Sequence, residues 1–125
     1  MQPHRFSKRS IDKLKGVHPE LVLVASRALQ YSEIDFAVIE GVRDLETQKR
    51  YMREGKSKTL HSRHLTGDAI DVAAYVDGHI NWTWDLYEEI ARAFKRAADE
   101  LGIPIIWGGD WESFKDGVHF QRANG

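Results

Sequence analysis

The sequence predicts an α+β fold in which a small, mainly antiparallel sheet packs with helices. Two separate segments carry apolar residues at helical spacing, and short apolar or alternating runs typical of strands are interleaved with them. The dipeptide Asp77-Gly78 is a strong signal for a tight turn between two antiparallel strands. Because 125 residues suffice for one modest core, we expect a single domain spanning residues 1–125.

The first part of the chain predicts two helices with a strand between them. Proline at the first helical position and an acid behind it indicate a helix from 19 to about 31. The apolar run from 35 to 40 is typical of a strand, and Gly41 ends it. Asp44 is a suitable N-cap for a polar helix from 45 to about 53.

The second part of the chain predicts a long helix among short strands. Thr83 can cap this helix, and Gly102 followed by Pro104 ends it. Gly108 to Asp110 is expected to form a turn. In chain order, the predicted segments are a polar loop, a strand, the helix, a short strand and a final strand, at 56–66, 69–76, 84–101, 103–107 and 118–121.

Composition and charge exclude several functional classes. The formal net charge of −1 gives no electrostatic basis for binding nucleic acid or an anionic membrane. The basic start of the chain is not followed by a long apolar run, so we expect neither a conventional secretory signal nor a transmembrane segment. Because the chain has no cysteine, a metal ion must be held by nitrogen and oxygen atoms.

The most informative segment is the run from 62 to 71, together with the later Asp116-Gly117-Val118-His119. It offers two imidazoles, of His64 and His119, and the carboxylate of Asp71 as ligands for one metal ion. Three protein ligands leave one position of a tetrahedral zinc ion open for water, as in catalytic zinc sites. Asp116 lies three residues before His119 and is placed to take a proton from that water. The pattern therefore indicates a hydrolase.

Spacing alone leaves other interpretations of these residues open. An isolated histidine is more often a surface or core residue than a ligand, and Asp68 competes with Asp71 for the carboxylate role. We prefer Asp71 because strand alternation points it away from the face of its apolar neighbours Ile70 and Val72. His61 could pair with His64, but it lies in a polar stretch and is expected to be solvated.

Arg43 follows a strand, where its guanidinium could clamp a substrate carboxylate or stabilise charge on an attacked carbonyl oxygen. The alternative is an exposed arginine that pairs with Asp44 or Glu46. Trp107 and Trp111 flank the turn before the last strand and could line a groove, although tryptophan in a small core is more common.

The motifs resemble those of a known family. The pattern Ser62-x-His64-x-x-Gly67-x-Ala69-x-Asp71, followed by Asp116-x-x-His119, closely resembles the VanY-like D-alanyl-D-alanine carboxypeptidase family of zinc peptidases. Within that family, the chain is most similar to the short phage endolysins that are L-alanyl-D-glutamate endopeptidases. The segments 40–48 and 111–121 extend the resemblance from about residue 19 to residue 121.

The resemblance implies a zinc ion held by His64, Asp71 and His119, with Asp116 as the catalytic base. It also implies the small α+β fold shared with hedgehog-type zinc domains. The substrate would be the stem peptide of peptidoglycan, cut between L-alanine and D-glutamate, with lysis of the bacterial cell wall as the result. An enzyme of this kind accumulates in the host cytoplasm and reaches the wall after a holin opens the membrane, and a monomer is the default.

The resemblance further implies that Arg43 takes part in catalysis and that Ser62 and Gln48 contact the substrate peptide. Carboxypeptidase members generally have glutamate where this chain has Asp116, and the shorter side chain favours the endopeptidase branch. Three alternatives remain open: a D-alanyl-D-alanine carboxypeptidase of the same fold, a non-catalytic peptidoglycan-binding module, and an iron oxygenase whose metal is held by two histidines and one carboxylate.

Overall fold

The structure is a computed structural model that describes residues 4–56 and 62–123. Within these residues the chain forms four α-helices and five strands. Two short 3-10 helices, Arg63–Thr66 and Gly108–Asp110, lie between them. The helices are α1 (Lys8–Lys13), α2 (Pro19–Tyr31), α3 (Leu45–Arg53) and α4 (Trp84–Leu101). The strands are β1 (Asp35–Glu40), β2 (Ala69–Val76), β3 (His79–Asn81), β4 (Ile105–Trp107) and β5 (His119–Arg122).

The strands form one antiparallel sheet with β2 at its centre. The order is β1-β2-β5-β4, and β3 pairs with the other end of β2 through the predicted Asp77-Gly78 turn. Both turn residues have positive φ angles, of 53° and 80°, as the tightest two-residue hairpin turn requires. The register places Asp71 between Glu40 on one neighbouring strand and His119 on the other.

The core lies on one face of the sheet, beneath α2 and α4. Ile70, Val72 and Phe120 point into it and are fully buried, and the ring of Phe120 stacks on Phe94 of α4 at 3.8 Å between centroids. Burial of each such side chain contributes about 1.5–3 kcal/mol. Because side chains alternate along a strand, Asp71 is left on the opposite face of the sheet, where the site lies.

Most predicted elements are confirmed, and the α+β prediction with a small antiparallel sheet is correct. The helix over 19–31, the strand over 35–40, the helix over 45–53 and the strand over 69–76 have the predicted bounds. The side chain of Asp44 caps its helix by accepting a hydrogen bond from the backbone N–H of Thr47. Within the described residues, no helix is both long and apolar enough to cross a membrane.

Several details differ from the prediction. Helix α1 was not predicted. The predicted polar loop contains the 3-10 helix Arg63–Thr66. Residues 57–61 of that loop, including His61, lie outside the described residues. The hydroxyl of Thr83 does not cap α4; the side chain of Asn81 accepts from the Thr83 N–H instead. The fourth strand begins at 105 because the N–H of Ile103 still bonds back to α4, at Ala98. The last strand runs one residue later than predicted, at 119–122.

A buried ion pair ties the start of β2 to the end of β5. The guanidinium of Arg122 donates to Asp68 at 2.7 Å and to Glu20 of α2 at 3.0 Å. Burial opposes ionisation of Asp68, but hydrogen bonds from Thr66 and Arg122 outweigh it, so the pKa of Asp68 is lowered. Asp68 therefore fastens the sheet beside the site, and its carboxylate does not join Asp71.

We expect Asp68→Asn to destabilise the fold by about 1.5–3 kcal/mol near pH 7, because a charged hydrogen bond is lost. The folded pKa of Asp68 lies below its unfolded value of about 3.9. Its contribution is therefore complete above pH ~4 and is lost as the pH falls through the folded pKa. Urea denaturation of both proteins at pH 7 and pH 3 measures this. The difference between the free energies of unfolding of the two proteins should be smaller at pH 3 than at pH 7. An equal difference at both pH values would refute the ion-pair explanation. Exposed Asp12→Asn serves as the control.

Candidate metal centre and active site

A short 3-10 helix presents His64. The hydroxyl of Ser62 accepts a hydrogen bond from the His64 N–H at 3.2 Å and so caps this helix at its start. Gly67 ends it in the left-handed region, at a φ of 78°, and its carbonyl accepts from the N–H of His18. A Cβ at this position would lie 2.6 Å from the carbonyl oxygen of Gly16, so only glycine lets the loop pack here.

The structure brings His64, Asp71 and His119 together. Nε2 of His64 lies 3.2 Å from Oδ1 of Asp71, and Nδ1 of His119 lies 3.3 Å from the same oxygen. One donor atom from each residue lies within 4.8 Å of the other two. His119 reaches the group because β5 pairs with β2 and places it directly opposite Asp71. Three side chains that are distant in sequence can therefore hold one metal ion.

The outer nitrogens of both rings face oxygen acceptors. Nδ1 of His64 lies 2.8 Å from the carbonyl oxygen of Gly41, and Nε2 of His119 lies 2.8 Å from Oε1 of Gln121. A carbonyl oxygen can only accept, so the outer nitrogen of His64 carries the proton and donates it. The inner nitrogens then direct lone pairs toward Asp71, which is the arrangement of metal-binding histidines with their supporting hydrogen bonds.

Protons alone satisfy this group poorly. For every contact to be a hydrogen bond without a metal, both imidazoles would have to be charged, although His64 is only 2% exposed and His119 only 6%. A divalent cation satisfies the same contacts with both rings neutral. The donor set of two nitrogens and one carboxylate therefore fits a metal ion.

The charges of the site influence one another. Without a metal ion, the nitrogens that face Asp71 can carry protons instead of presenting lone pairs. Burial opposes ionisation of Asp71, but hydrogen bonds from His119 and His64 then outweigh it and lower the pKa of this carboxyl. For His119, burial lowers the pKa, but the bond to Asp71 prevails and the pKa is raised. Burial and the nearby negative charge of Asp71 raise the pKa of Asp116. A carboxylate with a raised pKa accepts protons more readily.

Asp116 is held beside the metal-binding group by a close backbone contact. Its N–H donates to the carbonyl of Gly108 at 3.0 Å, and its own carbonyl accepts from the N–H of His119. A Cβ on Gly108 would lie 2.3 Å from the Asp116 carbonyl oxygen, so this approach requires glycine. Nothing in the local sequence pattern around Gly108 predicted this role.

Arg43 is buried beside the group and does not form an exposed pair. It donates to Glu40 at 2.7 Å and to Gln48 at 2.6 Å, lies 3.8 Å from Asp71, and packs over the ring of Tyr51. The alternative pairing with acids of α3 is therefore wrong. Asp44 caps α3 instead, and Glu46 pairs with Lys49.

The two expected substrate contacts occupy different positions. Ser62 lines the cavity, with its hydroxyl 3.5 Å from a guanidinium nitrogen of Arg43. Gln48 is fully buried beneath Arg43 and is not part of the cavity wall. Its amide oxygen holds the guanidinium and faces no open space.

A cavity of about 550 Å³ opens over these residues. Near β1 its wall carries two cations, Arg43 and Lys56, against one acid, Glu40, which pairs with Arg43. Beyond β5, on the other side of the metal-binding group, Trp111 lies against His119 with ring centroids 5.2 Å apart.

Trp107 does not line the cavity wall but is buried in the core, which was the alternative interpretation of this tryptophan. The sequence signals missed Gln121, although residues two apart on a strand share a face.

Comparisons with known proteins agree on one family. The model of the family described as phage L-alanyl-D-glutamate peptidase matches residues 2–122. The chain is 38% identical to the L-alanyl-D-glutamate peptidase of Escherichia phage T5, over 90% of this chain and 85% of that protein. It is 29% identical to the peptidase of the same name from Listeria phage A118, over 93% of this chain but only 41% of that protein. The crystal structure of an L-Ala D-Glu endopeptidase from Serratia marcescens matches with a TM-score of 0.91 and 51% identity, over 96% of this chain and 90% of that one.

We expect Gln121→Ala to weaken binding of Zn²⁺, used as the probe, by about 10- to 100-fold, because the supporting hydrogen bond to His119 is lost. Competition with a chelator of known affinity measures the change. Gln30→Ala, an exposed glutamine on α2, is the matched control and should retain full affinity. Unchanged zinc affinity in a folded Gln121→Ala protein would disprove this role.

Proposed function

The chain belongs to the family of phage L-alanyl-D-glutamate peptidases, and we propose that it is a zinc-dependent endopeptidase that cuts this bond in the peptidoglycan stem peptide. The observation that carries the proposal is the convergence of His64, Asp71 and His119, with Asp116 on the wall of the same cavity. Binding alone does not require a further carboxylate on the cavity wall beside the three metal-binding residues.

The donor set of two imidazoles and one carboxylate, and two of the donor separations, are compatible with zinc as the metal. Donor atoms around a tetrahedral zinc ion with bonds of about 2.0–2.1 Å lie roughly 3.3–3.4 Å apart. The separations from Asp71 to the two histidine nitrogens are 3.2 Å and 3.3 Å. When bound, zinc polarises the scissile carbonyl and lowers the pKa of a water molecule toward about 7.

Asp116 is assigned as the general base. Its carboxylate removes a proton from the attacking water and then delivers that proton to the amine that leaves. Its position on the wall of the cavity lets the carboxylate reach both the water and the leaving amine. The backbone contact with Gly108 fixes the position of Asp116 on the wall of the cavity.

Arg43 is assigned to substrate charge. Glu40 and Gln48 fix its guanidinium from two sides, so it is preorganised to stabilise negative charge on the attacked carbonyl oxygen or on a substrate carboxylate. Gln48 then acts as a positioning residue, in place of the direct substrate contact that the resemblance implies. Ser62 lines the cavity and is assigned a contact with the stem peptide.

The biological setting follows from the same assignment. The substrate is the bacterial cell wall, and its hydrolysis lyses the cell, as an endolysin does. We further propose that residues 1–125 act as one domain and one monomer, which accumulates in the host cytoplasm and reaches the wall through a holin-type opening. Phage peptidase relatives support this setting.

Purified protein incubated with isolated peptidoglycan should release fragments with a new amino terminus on D-glutamate, identified by mass spectrometry. Chelation should abolish the cleavage and zinc should restore it. Loss of the terminal D-alanine alone would instead support the carboxypeptidase alternative. Binding to the wall without new amino termini would support the binding module, and stoichiometric iron with oxygen-dependent activity would support the oxygenase.

Asp116→Asn should lower kcat about 10²- to 10⁴-fold, because the amide cannot accept the proton. Zinc binding and thermal stability should stay close to those of the parent. Asp110→Asn is the matched control, because it removes an exposed carboxylate from the same segment and should keep its activity. Full activity in Asp116→Asn would reject the base assignment.

A further inference from the structure

Three aromatic side chains, Trp84, Trp111 and Phe114, form what we call the aromatic rim. Trp111 and Phe114 line the cavity. Trp84 lies against Gly117, because a Cβ added to Gly117 would come within 2.8 Å of the Trp84 ring. Gly117 stands between two residues that line the cavity, so the rim adjoins the catalytic site. Phe114 is 49% exposed and Trp84 is 43% exposed, so both rings present apolar surface to a ligand.

The exposed rings are held in place. Trp84 packs over Trp107 with ring centroids 5.6 Å apart, and the indole N–H of Trp107 donates to the carbonyl of Gly117 at 2.8 Å. Phe114 has a φ of 52°, a conformation that costs a bulky residue backbone strain. The fold therefore places Phe114 at the site at some cost in backbone strain, while packing on Trp107 fixes Trp84.

The chemistry of the proposed substrate requires a sugar near the cavity. In peptidoglycan, the amino group of L-alanine is joined to the lactyl group of an N-acetylmuramic acid residue. Because the scissile bond lies only one residue from that junction, the sugar must lie within about two residue lengths, roughly 7 Å, of the attacked carbonyl. The walls of the cavity must accommodate it on one side or the other.

Charge decides between the two sides. The D-glutamate that follows the scissile bond carries a free carboxylate, which suits the cationic wall of Arg43 and Lys56. In the sheet order, this wall lies beyond β1, whereas Trp111 and Trp84 lie beyond β5. A peptide that places its acidic part on the first side directs its sugar toward the second.

We propose that the aromatic rim is the subsite for the N-acetylmuramoyl sugar of the glycan strand, an inference that rests on the proposed function. The C–H face of the pyranose ring and the acetamido methyl group pack on Trp84 and Phe114, while Trp111 closes the subsite next to His119. Rigid aromatic rings supply contact area with little loss of conformational freedom.

Two matched substrates test the inference. One is the stem peptide with an acetyl group on L-alanine, and the other is the same peptide joined to N-acetylmuramic acid. The parent should have a higher kcat/KM on the second. Trp84→Ala and Phe114→Gly should each lower the ratio of the two kcat/KM values about three- to tenfold. Leu23→Ala removes an equally exposed apolar side chain from α2 and should keep the parental ratio.

Phe114→Gly also separates binding from folding, because glycine adopts the left-handed backbone without strain. Its melting temperature should equal or exceed that of the parent while the substrate ratio falls, and Trp84→Phe should recover part of the ratio lost in Trp84→Ala. Parental ratios in both folded rim variants would overturn the inference and leave the proposed function intact. A parent that cuts neither substrate would overturn the proposed function and the inference with it.

Discussion

The negative charge of Asp71, on the central strand of a small sheet, is the constraint on which the rest of the site depends. A largely buried carboxylate is costly unless it is paired, and here the imidazoles of His64 and His119 and the guanidinium of Arg43 approach it. Each of these partners needs a partner in turn. A carbonyl holds His64, Gln121 holds His119, and Glu40 holds Arg43. The site is therefore a layered polar network on one face of the sheet.

The opposite face of the sheet makes this network possible. Helices α2 and α4 cover that face with a packed apolar core. This packing holds β2 and β5 in register independently of the charged residues on the other face. The polar face is left free for function, as is common for antiparallel sheets covered by helices on one side. A metal ion held by residues of both strands then links binding to folding, because the donors converge only in the folded chain.

Glycines set the spacing of the site where backbones approach closely. Gly41 supplies the carbonyl that holds His64, and a Cβ there would lie 2.0 Å from the carbonyl oxygen of Lys13. Gly108 plays the same part for Asp116 on the other side of the cavity. The chain reaches Arg43 of the cationic wall just after it leaves β1, and it passes through Trp111 and Phe114 of the aromatic rim before it enters β5. An elongated substrate with an acidic part and a sugar matches this polarity.

Local patterns determined much of this protein in advance. Capping residues, turn dipeptides and apolar spacing depend on neighbours along the chain, so the positions of α2, α3, α4, β1 and β2 could be predicted, and spacing and motif together singled out His64, Asp71, Asp116 and His119. Only the tertiary structure decided which groups support them. The placement of Trp84 beside Gly117 joins segments that are distant in sequence, and the contact of Gly108 with Asp116 depends on how the chain turns between them. The bonds of Gln121 to His119 and of Glu40 to Arg43 are local, but they form only because burial fixes those side chains in the fold. Helix α1 escaped prediction for a related reason, because its six residues form a helix too short to stand without its packing on β1.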